Sequence, residues 1–411
     1  MAYLNNIKRV KTEKWFFFIL LYLFVDYGRP QDLVPIGAIK PGLIVILILT
    51  YFLTLYGFKL GNSKQIKIIW YFVLLTAIFI PFAENNYWAF QTFRNMVSYM
   101  PFIISVVLCV NTIKRLKILV NVFIILMIYI SLYSLTHDGI GSGNYFQDEN
   151  DVSLFINMWL PFCFFLFLNE KEFIKKTFYA LGMIVGLSAV VVSFSRGGFV
   201  GLVCATVVIW LFSNKKMISL VIIGLFGIVV YFSSSESYRA EMATITNQHE
   251  GTAEDRLLSW ATAWDMFLDN PLGVGGNNFQ TRFPEYQGDR FERGMWGRVA
   301  HSLWFTLIPE LGVFGIILYF RLLYFNIKDL FFLKKINIRD NQDHQYLYIL
   351  SLSAIASLAG FFASATFISV LYYPHYWYLT AIIVVAREMY DNCKTGENLQ
   401  DIRKINKNMC I

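Results

Sequence analysis

The feature that most constrains this chain is where its positive charge falls. Apolar stretches cut the sequence into short polar connections, and every Lys except Lys40 lies on alternate ones. Counted from the N-terminus, the odd-numbered connections hold 19 Lys and 6 Arg. The even-numbered ones hold Lys40 and 9 Arg, which completes the 35 cationic side chains. Segments rich in Lys and Arg resist translocation and stay on the cytoplasmic side of a membrane. The expected fold is therefore an all-α polytopic membrane protein with a Lys-rich cytoplasmic face. The other face keeps Arg and excludes Lys, and Arg is the side chain suited to bidentate recognition of phosphate and carboxylate.

Composition agrees: 56% of residues are hydrophobic and 18% aromatic, which excludes an ordinary soluble domain. The stretches Trp15–Val25, Leu43–Phe58, Ile68–Pro81, Met96–Val110, Leu116–Leu135, Val152–Leu168, Thr177–Ser193, Phe199–Phe212, Ile218–Phe232, Val299–Phe320, Tyr346–Ile368 and Tyr376–Ala386 each read as a membrane segment. About 12 transmembrane helices are expected, several short enough to borrow flanking aromatics to reach the roughly 20 residues of a span. Both chain ends are basic, which puts both in the cytoplasm, and the first apolar run lacks a small-residue cleavage site, so it reads as a retained anchor. The net charge of +7 follows from this asymmetry and calls for no nucleic acid. Cys109, Cys163 and Cys204 fall in spans and Cys393 and Cys410 in the tail, so neither a disulfide nor a zinc site is expected on the outer face.

Four regions follow from this reading: spans one to nine over residues 1–232, a large outer loop over 233–298, spans ten to twelve over 299–389, and a basic cytoplasmic tail over 390–411. The 66-residue loop far exceeds an ordinary connection and draws attention as a functional segment. Within it Thr252–Leu268 reads as an amphipathic helix, with a capping-box pattern at Thr252 and Asp255. Leu257, Ala261, Trp264 and Leu268 form its apolar stripe; Arg256, Trp260 and Phe267 lie on the neighbouring one. Asn270-Pro271 stops the helix, and the LGVGGNN that follows lacks the Lys-Ser/Thr of a phosphate loop.

The loop carries ten carboxylates and six Arg, so it is net acidic and each Arg must be placed singly. Surface pairing with neighbouring acids, worth ~0–1 kcal/mol apiece, is the expectation for Arg239, Arg282, Arg290 and Arg293. Arg196 differs. It sits in SFSRGGFVG, where the seventh span turns directly into the eighth, and an Arg at that depth is expensive without an anion or a partner. An anion site is the favoured reading over an Arg that merely snorkels to the interface. His301 opens the tenth span three residues after Arg298 and so on the same helical face. Glu310 is an intramembrane carboxylate, a functional candidate by default, although helical spacing turns it away from His301 unless Pro309 breaks the helix. A structural role and a chemical one remain open for it.

Three pieces in this order resemble the O-antigen ligase family: SFSRGG at a span junction, EDRLLSWATAWDMFLDNPLGVGGNNF in the outer loop, and AHSLWFTLIPELGVFG opening the next span. QDENDVSLFINMWLP before the sixth span is similar to the family's acidic-Asn segment, which brings in Asn150 and Asp151, and YGRPQDLVP also fits. The resemblance implies an integral-membrane glycosyltransferase of the GT-C type, metal-independent and without a cofactor. Such an enzyme moves a glycan from undecaprenyl pyrophosphate to an acceptor at the outer face of the bacterial inner membrane. It also implies Arg196 and Arg256 as functional arginines, His301 as the catalytic histidine and Glu310 as the acidic position of that motif.

The chemistry fits: the donor leaves as a lipid pyrophosphate, which fixed Arg side chains would bind and stabilise. A His with a pKa near neutrality would take the acceptor's proton. Arg298, Glu310, Trp260, Asn150 and Asp151 are the expected substrate-binding residues, and the loop is expected to close over the substrates. Lipid A-core is the preferred acceptor, with another lipid-linked repeat unit (an O-antigen or exopolysaccharide polymerase) or a protein Ser/Thr hydroxyl as the alternatives within the superfamily. A transporter or flippase is the competing class. Against it, ionisable residues cluster at the outer face rather than at the bilayer midplane, and the two halves do not repeat.

Overall fold

The computed structural model describes residues 2–33, 39–56, 63–233, 251–290, 297–338 and 341–408. These form helices, in order: α1 (Ala2–Leu23), α2 (Pro30–Leu33), α3 (Pro41–Tyr56), α4 (Lys64–Phe79), α5 (Asn86–Cys109), α6 (Ile113–Leu135), α7 (Glu149–Asn169), α8 (Phe173–Val192), α9 (Arg196–Phe212), α10 (Lys216–Ser233), α11 (Gly251–Asp269), α12 (Phe279–Gln287), α13 (Leu303–Leu333), α14 (Gln342–Ala365) and α15 (Pro374–Asn408). A π-helical turn over Phe24–Gly28 follows α1. No strand occurs among the described residues.

Each expected apolar stretch falls largely on one long helix. Among the described residues six of these, α5, α6, α7, α8, α13 and α14, are long and apolar enough to cross a membrane. Pro41–Leu55 and Arg196–Phe212 are shorter apolar helices, and α4, at 16 residues, falls short of a straight span. Length and apolarity alone thus carry six spans rather than about twelve. The all-α membrane character is plain from the surface as well. Leu47, Tyr71, Ile125 and Leu181 lie on outward helix faces, each more than half exposed, where a soluble protein would place polar groups.

Of these six helices α7 is the most enclosed, with 89% of its apolar window buried. It packs against α6, α8, α9 and α14. Asn157 cross-links this centre, its Nδ2 donating to Gly198 O at 2.7 Å and Ser364 Oγ at 3.0 Å. Gly201 makes the close approach possible: a Cβ there would stand 2.9 Å from Gly360 O and 2.7 Å from Asn157 Nδ2.

Helix α13 is broken at Gly312 (φ 57°, ψ −158°), a conformation only glycine adopts readily. The Pro271–Gly275 loop occupies the break. Val274 N donates to Pro309 O (2.9 Å), Gly275 N to Glu310 O (2.8 Å) and Val313 N to Pro271 O (2.9 Å). The carbonyls and amides freed by the break are therefore re-satisfied by the outer loop, as membrane-depth backbone requires. Above it a second small core gathers Ala263, Met266, Val274, Phe279, Phe283 and Ala300.

Candidate active site at the outer face

Four segments converge at one end of the bundle, around the first residues of α7, α9 and α13. The first is the α8–α9 junction. Phe194 takes a left-handed conformation (φ 51°), which reverses the chain, and Ser195 caps α9 by accepting from Gly198 N at 2.8 Å. That cap starts the helix at Arg196 and fixes where its side chain emerges. Ser195 Oγ in turn donates to Asn150 Oδ1 at 2.6 Å, and Asn150 Nδ2 donates to Asp148 Oδ1 at 2.6 Å. The start of α7 and the Arg196 junction are thus one hydrogen-bonded unit.

Helix α11 supplies Arg256, and the segment before α13 supplies Arg298 and His301. Arg298 Nε donates to Ser259 Oγ (2.6 Å), and its Nη1 lies 3.3 Å from Asp255 Oδ2, so it clips this segment to α11. His301 is not on a helix. It has φ 46°, and Ser302 caps α13 behind it by accepting from Phe305 N. The expectation that Arg298 and His301 share a helical face is corrected accordingly: the helix begins at Leu303, and the left-handed turn aims the imidazole.

The electrostatics tie these groups together. Burial lowers the pKa of the Arg256 guanidinium, and the charges of Arg196 and Arg298 lower it further, while Asp148 and Glu149 oppose them. Burial also lowers His301 below the ordinary His value, helped by Arg256 and Arg298 and opposed by Asp148. Three arginines, one imidazole and two carboxylates therefore share one electrostatic neighbourhood. Like-charged guanidiniums held together cost energy unless an anion joins them, and an imidazole kept neutral at pH 7 is a proton acceptor.

Other expected residues take different positions. Trp260 donates from Nε1 to Ala300 O (3.0 Å), and its ring stacks on Phe305 with centroids 5.0 Å apart, so it braces the segment next to His301. Glu310 is 2% exposed. Its carboxylate accepts from Tyr372 Oη (2.7 Å), Asn277 N (2.8 Å) and Phe279 N (3.3 Å), so it anchors the outer loop. The geometry gives it this bracing role, reached through the break at Gly312 rather than at Pro309. Asp151 is 3% exposed, and its Oδ1 has no hydrogen-bond partner among the described residues. Arg282 pairs with Glu285 at 2.9 Å, as a surface Arg is expected to. The side chains of Arg239, His249, Thr252, Arg290 and Arg293 lie outside the described residues.

The apolar stripe of α11 faces outward. Leu257, Ala261, Trp264 and Leu268 are exposed, and the buried face is Ser259, Thr262, Ala263 and Met266. The candidates missed in the sequence are Asp148 and Glu149. Their signal was present: Asp148 is a good N-cap residue with acids following in the first turn, at the outer end of a span.

Among the described residues the chain is an all-helical membrane protein that gathers arginines and a histidine at one end of its bundle. Residues 181–320 match the family model described as O-Antigen ligase, so the chain carries an O-antigen ligase region that includes Arg196, Arg256, Arg298, His301 and Glu310. The match covers about a third of the chain and supports a membrane enzyme of the O-antigen ligase and polymerase type. A search of curated proteins finds no match.

Proposed function

We propose that the chain transfers a glycan from undecaprenyl pyrophosphate to an acceptor hydroxyl, with lipid A-core as the preferred acceptor. The observation that carries this reading is the shared field of Arg196, Arg256, Arg298 and His301. The guanidiniums bind the pyrophosphate and stabilise the charge that develops on the leaving oxygen. His301 takes the proton from the acceptor hydroxyl as that oxygen attacks the anomeric carbon, and the lipid pyrophosphate departs from the opposite side, so the sugar carbon inverts. Asp151, with a buried unpaired oxygen, and Asn150, which holds the Arg196 junction, contribute to substrate binding. Glu310 and Trp260 position the loop and the His301 segment.

The reading includes twelve spans in a GT-C-type architecture, both termini in the cytoplasm and the site at the periplasmic face of the inner membrane. The alternating Lys distribution supports that orientation. A polymerase or protein O-oligosaccharyltransferase reaction would use the same donor geometry with a different acceptor. The deciding experiment is transfer by purified protein from an undecaprenyl-pyrophosphate glycan, offered lipid A-core, a lipid-linked repeat unit or a Ser/Thr peptide separately. Transfer to lipid A-core alone supports the ligase. Transfer to neither lipid A-core nor the other two, by protein that remains folded, refutes the enzyme.

A further inference from the structure

At the other end of α7, away from the arginines, a cavity of about 840 Å³ opens between the starts of α6, α8 and α14. Four lysines line it, Lys114, Lys117, Lys171 and Lys175, against Glu170, Glu172 and Asp343. Part of that charge is already matched. Lys175 pairs with Glu172 at 2.8 Å, and Glu170 Oε1 accepts from the amides of Lys171 and Glu172. Lys114, Lys117 and Lys171 have no carboxylate at ion-pair distance among the described residues, and Lys117 Nζ rests 4.9 Å from the Tyr346 ring. Three helices begin at the cavity, so their positive ends add to the lysines. The N-terminus of α8 has no side-chain cap.

The lining also includes the aliphatic side chains of Ile118, Leu166 and Ile349. On the first turn of α8, Phe173 and Ile174 are 81% and 82% exposed. A soluble anion has no use for these apolar groups, whereas a molecule with a charged head and an acyl tail uses both kinds of surface.

We propose that this cavity seats the phosphate headgroup of an anionic phospholipid of the cytoplasmic leaflet, with Lys114 and Lys117 on the phosphate and the acyl chains passing Phe173 and Ile174. The proposal rests on the cytoplasmic placement of this end of the bundle, given above as part of the proposed topology. It is independent of the transfer reaction.

The test titrates the purified full chain in detergent with phosphatidylglycerol, phosphatidylcholine or inorganic phosphate, reading bound lipid by native mass spectrometry. Phosphatidylglycerol is expected to bind in preference to phosphatidylcholine. Lys114→Ala with Lys117→Ala should weaken it roughly 30-fold, since each Lys near an anionic lipid surface contributes about 1 kcal/mol. Lys335→Ala, an exposed Lys outside the cavity, should leave binding unchanged. Equal binding of the two lipids, or full binding by the double variant, overturns the proposal. Phosphate displaced by the same two substitutions without any lipid preference overturns it too, and assigns a soluble anion instead. A fluorescent-protein fusion at the C-terminus that stays dark fails the topology rather than the lipid chemistry, because the two readouts are separate.

Discussion

The indole Nε1 of Trp260 donates to the carbonyl oxygen of Ala300 at 3.0 Å, one residue before His301. Together with the Arg298–Ser259 bond on the same segment, it couples the helix that carries Arg256 to the residue proposed as the base. Trp260→Phe leaves an aromatic ring beside Phe305 and removes the five-membered ring with its N–H. Transfer is expected to fall several-fold, with a stability loss of about 1 kcal/mol for one hydrogen bond. Side-by-side kinetics and thermal unfolding of the purified variant check both, and an unchanged rate would deny the bond a positioning role.

His301 has a left-handed backbone, so the variant that tests its chemistry should tolerate that conformation. Asn does. His301→Asn is expected to lower transfer by about 10²–10⁴-fold, the usual contribution of general base catalysis, with unaltered protein level in the membrane. Single-turnover transfer from the lipid-linked donor is the measurement. Full turnover by this variant removes His301 from the mechanism.

The lowered pKa of His301 sets a sign for the pH dependence. A base works when deprotonated, so kcat/KM for the donor should hold down to a pH below the ordinary His range and fall only on further acidification. Once the pyrophosphate neutralises the guanidiniums, the imidazole holds its proton more tightly, and the acid limb of kcat should lie at higher pH. A rate profile with the two limbs in the reverse order contradicts the proximity of Arg256 to His301.

In the proposed reaction Arg256 and Arg196 act as forks on the pyrophosphate rather than as bare charges. Arg256→Lys should therefore rescue little. A loss of about 10²–10³-fold in kcat is expected for Arg256→Ala, comparable to removing one preorganised oxyanion donor, with most of it retained in Arg256→Lys. Donor titrations with both variants discriminate: recovery by Lys to near parent activity argues for simple attraction.

Gly312→Ala places a Cβ against the Pro271 and Leu272 backbone in a conformation that costs about 1–3 kcal/mol even in open space. Thermal unfolding at lower temperature and weakened transfer should appear together, because the loop that fills the break also holds α12 through Glu310. A stable, fully active Gly312→Ala protein would show that the docked loop does not matter to the site.

The helices and the three motif pieces were legible because each is a local pattern: an apolar run, a charge at its end, a cap or a breaker. The orientation of α11 was not. Its apolar stripe through Leu257, Trp264 and Leu268 looks outward, while Ser259 and Thr262 are buried, because next to a bilayer an apolar stripe does not have to face the protein. His301 escaped the helical reading for a different reason. A non-glycine residue in the left-handed region leaves no compositional trace, and the Ser302 cap behind it resembles ordinary sequence. The break in α13 lies at Gly312, not at the more conspicuous Pro309, since the deciding partner is a loop some forty residues earlier in the chain.

That partner bears on how the enzyme works. Three main-chain hydrogen bonds seat Pro271–Gly275 in α13, and Trp260 and Arg298 fasten α11 a short way above. Lifting this part of the outer loop would break all of them at once, at about 1 kcal/mol each. The cationic pocket is thus assembled before any sugar arrives. The lipid-linked donor of the proposed reaction, diffusing sideways within its leaflet, would meet a receptor whose charges are already aimed.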